Sequence, residues 1–123
     1  MVIDDSQIDL YIAEISIKKS AFAQDVIAKN SGAGALEYLS ESSPEELPEL
    51  IFLDINMPEM NGFEFLDAFE KLPEALHKTC NIMMLSSSLD PEDQNRVKQN
   101  KFVSRFVNKP LVREKLNEIL SVS

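Results

Sequence analysis

Five residues of this 123-residue chain have types and positions suited to chemistry: Asp4, Asp5, Asp54, Ser86 and Lys109. Each stands just beyond a run of apolar residues, where a charge or hydroxyl needs a reason. Adjacent carboxylates such as Asp4 and Asp5 repel. Two charges about 4 Å apart cost roughly 4 kcal/mol at an effective dielectric of ~20, which a bound cation would relieve. Carboxylates suit Mg²⁺, a hard ion that takes oxygen ligands near 2.1 Å and keeps waters and phosphate oxygens in its shell. A hydroxyl and an ammonium suit the remaining phosphoryl oxygens. The expected chemistry is transfer of a phosphoryl group onto or off a carboxylate. Taken singly, Asp54 reads as a turn or capping aspartate, and Asp5 or Ser6 as the cap of the following helix. The set of four strand ends favours the chemical reading.

The elements that must position these groups follow from apolar patterning. Met1-Val2-Ile3 is a clipped strand running into Asp4-Asp5, and a helix from about Gln7 to Lys19 carries Ile8, Tyr11, Ile12 and Ile15 at helical spacing. Phe22–Ala28 reads as a second strand, Asn30-Ser31-Gly32 as a loop, and Ala33–Leu39 as a helix. Ser40–Glu49, with Pro44, Pro48 and four glutamates, reads as a solvated connection. Leu50–Leu53 is an unbroken apolar strand covered on both faces, with Asp54 where it leaves the sheet. Pro58 and Gly62 bracket a tight loop, and Phe63, Phe65, Leu66, Phe69 and Leu72 predict a helix that Pro73 ends or interrupts. A polar stretch to Asn81 contains His77, read as a surface or linker histidine. Ile82–Leu85 is a further apolar strand ending in Ser86-Ser87-Ser88, with its methionines as core filling. Asp90-Pro91 starts a weakly anchored helix with Val97 as its main apolar residue. Phe102–Val107 is the last strand before Lys109-Pro110, and Leu111, Val112, Leu116, Ile119 and Leu120 mark a closing helix. Strand and helix alternate five times, which argues for a parallel sheet with helices on both faces.

Composition narrows the function classes. With 44% hydrophobic residues, the length suits one domain over residues 1–123, with no room expected for an output domain. A net charge of -9, from 21 acidic and 12 basic residues, disfavours direct nucleic-acid binding and anionic membranes. One cysteine, Cys80, and no long apolar segment predict a reducing, cytoplasmic setting.

The chain resembles the receiver domain of two-component response regulators over essentially its whole length. The resemblance rests on Asp4-Asp5 after the first strand, Leu53-Asp54-Ile55-Asn56-Met57-Pro58 with Gly62 following, Ser86 after the fourth strand, and Lys109-Pro110 after the fifth. It implies a flavodoxin-like (CheY-like) α/β fold of strand order 2-1-3-4-5. Asp54 is then the phosphoacceptor, supplied by a sensor histidine kinase or histidine phosphotransfer protein. Mg²⁺ is held by the Asp5 and Asp54 side chains, the Asn56 carbonyl and, through water, Asp4. Ser86 binds a phosphoryl oxygen, Lys109 pairs with the phosphate or with Asp54, and the Lys109-Pro110 bond is cis. Asn56 and Ser88 occupy positions that tune acyl phosphate lifetime. Ser86 and Phe106 form a switch altering the surface of the helix after the fourth strand, the fifth strand and the closing helix, for a downstream protein target; the alternative is that Phe106 is a fixed core or edge residue. The expected assembly is a monomer or a weak phosphorylation-dependent dimer, and a signalling domain rather than an enzyme. Two other classes compete. An Mg²⁺-dependent phosphohydrolase with an aspartyl nucleophile would want a second acid where Asn56 stands, and a non-phosphorylated interaction module would not need the full acidic set.

Overall fold

The computed structural model describes residues 1–19, 25–87 and 90–122, the last three by backbone alone. The elements run β1 (Val2–Ile3), α1 (Gln7–Lys19), β2 (Ala28–Lys29), α2 (Gly32–Glu41), a 3-10 turn (Pro44–Glu46), β3 (Leu50–Asp54), α3 (Gly62–Glu70), α4 (Glu74–Thr79), β4 (Asn81–Ser86), α5 (Pro91–Gln99), β5 (Val103–Asn108) and α6 (Arg113–Val122). The five strands form one parallel sheet in the order β2-β1-β3-β4-β5.

The alternation of side chains along each strand splits the core in two. Ile3, Ile51, Leu53, Ile82 and Met84 face one side, where Ala35 and Leu39 of α2, Phe65 and Phe69 of α3, Leu76 of α4 and Val97 of α5 cover them. Val2, Phe52 and Leu85 face the other, under Ala13 and Ile17 of α1 and Leu116 and Ile119 of α6. The unbroken apolar runs of β3 and β4 are thus explained by helices on both faces.

Four features differ from the sequence reading. The second strand is only Ala28–Lys29, because its partner β1 offers two residues to pair; Phe22–Gln24 lie outside the described residues. The stretch after Pro73 is helical over Glu74–Thr79, with Leu76 buried. His77 is therefore no linker residue: its ring lies 4.9 Å from that of Phe69 and 4.7 Å from that of Phe102, with Nε2 2.7 Å from the Phe69 carbonyl oxygen. On α1 the buried side chains are Ala13 and Ile17, whereas Ile8 and Tyr11 are 72% and 66% exposed. Apolar residues surround most of that helix, so spacing alone could not choose its inner face.

Local chemistry fixes the turns near the carboxyl edge of the sheet. Asn61 caps α3, its Oδ1 accepting from the Glu64 N–H at 2.9 Å while the Glu64 carboxylate accepts from the Asn61 N–H at 3.0 Å. Gly62 is needed for close approach: a Cβ there would lie 2.9 Å from the Asp54 carbonyl oxygen and 3.0 Å from the Ile55 Cα. Glu59, with φ 66°, makes the left-handed corner of the same loop.

Candidate functional site

Parallel strands bring all their carboxyl ends to one edge, and register decides which residues meet there. Ile3 pairs with Leu53, so Asp4 and Asp54 leave the sheet side by side. Asp54 pairs with Leu85, one residue before Ser86, and Ser86 pairs with Asn108, one residue before Lys109. The Lys109 N–H donates to the Ser86 carbonyl at 2.9 Å, and the Lys109–Pro110 peptide is cis.

Asp4, Asp54 and Ser86 are 1%, 4% and 0% exposed, a concentration of buried polar groups at a single edge. Asp4, Asp5 and Asp54 each present a carboxylate oxygen within 4.8 Å of the others, with Asp5 the exposed member. The Lys109 ammonium lies 2.6 Å from Asp4 Oδ2, 2.9 Å from Asp9 Oδ2 and 3.4 Å from Asp54 Oδ1. Asp4 Oδ1 also accepts from the Ser6 N–H at 2.9 Å, and Asp54 Oδ1 from the Asn56 N–H at 3.3 Å. Asn56 itself is exposed in the loop after β3.

Electrostatics follow from this crowding. Burial, then the charge of Asp4, pushes the Asp54 carboxyl up to about 7, against the opposing pull of Lys109 and the Asn56 N–H. For Lys109, burial alone would lower the pKa; hydrogen bonds to Asp4 and Asp9 and the charges of Asp54 and Asp4 outweigh it and raise the ammonium above its ordinary value. The carboxylates of Asp4, Asp9 and Asp54 thus share one ammonium, and Asp5 adds a fourth carboxylate beside Asp4 and Asp54. An all-oxygen donor set with surplus negative charge fits a hard divalent cation.

Phe106 stands apart from this cluster. It lies half-buried on β5 opposite Met84, packed against the core on the α2-to-α5 side. Ser88 lies outside the described residues. Asp9 is the site residue that the sequence reading missed. It lies in the first turn of α1, past the acidic strand tip, where no strand end marks it in the sequence.

A doubly wound sheet of this order, with its polar groups gathered beyond the strand ends, defines the CheY-like class of α/β proteins. The chain belongs to the response regulator receiver domain family, whose description matches residues 1–121. Receiver domains are signalling domains that bind Mg²⁺ at an acidic pocket. Among solved structures, a response regulator receiver protein from Dyadobacter fermentans is 32% identical, with a TM-score of 0.87 covering 98% of this chain and 93% of that one. A two-component response regulator from Cytophaga hutchinsonii is 31% identical, with a TM-score of 0.86 covering 98% and 92%. A two-component response regulator of rice, Oryza sativa subsp. japonica, is 31% identical over 90% of this chain and 48% of its own length. The chain spans about half the length of the first curated relatives it matches. Among the described residues, no helix is long and apolar enough to cross a membrane.

Proposed function

We propose that Asp54 accepts a phosphoryl group from the phosphohistidine of a kinase or phosphotransfer protein, and that the acyl phosphate resets the surface formed by α5, β5 and α6. The observation carrying this reading is the buried Asp54 carboxylate, 3.4 Å from the Lys109 ammonium and clustered with Asp4 and Asp5. The ionised Asp54 oxygen attacks phosphorus in line; the new P–O bond forms as the P–N bond breaks, and the electron pair leaves with the imidazole nitrogen. Asp5 and Asp54 side chains and the Asn56 carbonyl would hold Mg²⁺, with Asp4 reached through water. Bound there, the ion supplies positive charge to the phosphoryl oxygens. Lys109 supplies a second positive charge to the same oxygens, and Ser86 Oγ a hydroxyl. The sheet edge excludes most water from Asp54, which leaves the carboxylate poorly solvated and reactive once ionised.

The added charge, roughly -1.5 to -2 in other phosphoresidues, gives Ser86 a reason to move inward. Phe106, half-buried two residues before the partner of Ser86 on β5, follows into the space vacated. The adjoining α5 yields readily. Val97 is its buried side chain among the described residues, aided by the Arg96 guanidinium 3.8 Å from the Phe63 ring centroid.

Intact-mass analysis after incubation with Mg²⁺ and acetyl phosphate tests the reading. One phosphoryl adduct is expected on the native chain, absent without Mg²⁺ and absent in Asp54→Asn. An adduct that survives in Asp54→Asn, or none on the native chain, refutes it.

A further inference from the structure

Lys109 has a third carboxylate partner that the phosphoacceptor chemistry does not require. Its ammonium is nearer to Asp9 Oδ2, at 2.9 Å, than to Asp54 Oδ1, at 3.4 Å. The lysine is held closely elsewhere too: its side chain is 13% exposed, and Asp4 at 2.6 Å takes a further share of its charge. The space around it is closed by Ile12, Ala13, Leu85 and Leu111, so its stem has little room to swing. Asp9 sits in the first turn of α1, where its carboxylate also favours the helix N-terminus, and its side chain is 37% exposed. Asp9 therefore stays solvated while it draws the ammonium toward the α1 rim.

Building on the phosphoacceptor reading, we propose that Asp9 is a positioning residue that competes with the Asp54-bound phosphoryl group for Lys109, and so sets how strongly the unmodified state is favoured. A phosphoryl oxygen on Asp54 must share or win the Lys109 ammonium from Asp9. Neutralising Asp9 removes the competitor and leaves the nucleophile and the proposed Mg²⁺ ligands untouched. An ion pair with one substantially exposed partner is worth a factor of about two to five.

The test measures beryllofluoride binding at saturating Mg²⁺ by calorimetry, with beryllofluoride as a non-covalent stand-in for the phosphoryl group. Asp9→Asn is expected to bind about two- to fivefold more tightly than the native chain. Asp9→Glu, which restores the charge, is expected to return the affinity toward the native value. Glu14→Gln removes the same charge from α1 at a side chain paired with Lys18 rather than Lys109, and is expected to change nothing. Thermal unfolding of each variant establishes that it is folded. Unchanged or weaker binding in Asp9→Asn overturns the proposal, as does equal tightening in Glu14→Gln, which would mark an effect of net charge. Either result leaves the phosphoacceptor reading standing if the native chain binds beryllofluoride and gains its adduct on Asp54. A native chain that does neither loses both.

Discussion

Protonation of Asp54 is the residue-scale event with the largest consequence for stability. Its carboxyl titrates near 7 in the folded chain, against about 3.9 when unfolded. Between roughly pH 4 and 7 the folded chain therefore holds a proton that the unfolded chain has released, so stability falls as pH rises through that window and levels off above it. Asp54→Asn keeps the shape and removes the charge. In the absence of divalent ions it should gain up to about 4 kcal/mol over the native chain at pH 7.5, with the gap narrowing to about 1 kcal/mol near pH 4.5. Urea midpoints at the two pH values check this; a gap independent of pH would mean that Asp54 is already comfortably ionised. Asp4, Asp5, Asp54, Ser86 and Lys109 were legible because each interrupts or follows an apolar run, and parallel strands place such interruptions at one edge. Asp9 was not, because its approach to Lys109 depends on where α1 points rather than on any strand end.

At the scale of elements, legibility followed the number of apolar residues each one contributes. β3 and β4, with continuous apolar runs, and α3, with three phenylalanines on its buried side, declared themselves. β2 did not, since a two-residue pairing with β1 leaves almost no pattern to read. α4 was missed because its six residues bury one side chain, Leu76, too few to show a period. α5 is the converse case, an element whose polar sequence foretells how loosely it is held. Val97 anchors it, and Arg96 over the Phe63 ring at 3.8 Å ties it to α3. A cation–π contact of this kind is worth about 0.5–1 kcal/mol. Arg96→Ala should accordingly speed amide exchange in α5 by roughly two- to fivefold while leaving β3 amides unchanged, as read by hydrogen exchange of the native protein. Uniform acceleration across the sheet would instead assign the contact to global stability. On the proposed reading, a loosely held α5 beside β5 is the element on which a charge change at Asp54 acts, because little apolar packing resists its displacement.

For the molecule as a whole, the excess of acids has a local centre. The chain carries a net charge of -9, and the carboxylates of Asp4, Asp5 and Asp54 stand within 4.8 Å of one another at the edge where both cores end. Folding forces these groups together, whereas the unfolded chain keeps the strand tips apart, so a cation that fits the cluster binds the folded state and stabilises it by mass action. Burial and the charge of Asp4 also favour a proton on Asp54, and that proton takes the place of the cation's charge. On the phosphoacceptor reading proposed above, Mg²⁺ and acid are therefore competing stabilisers of one site. Millimolar Mg²⁺ should raise the melting temperature by several degrees at pH 7.5, where it offsets the ionisation of Asp54, and by much less at pH 5, where Asp54 is protonated. In Asp54→Asn the pH dependence of the Mg²⁺ effect should largely vanish, because the group that exchanges proton for metal is gone. Melting curves over a grid of pH and Mg²⁺ decide the matter: an Mg²⁺ stabilisation equal at both pH values, or one retained in full by Asp54→Asn, would place the ion elsewhere on the acidic surface.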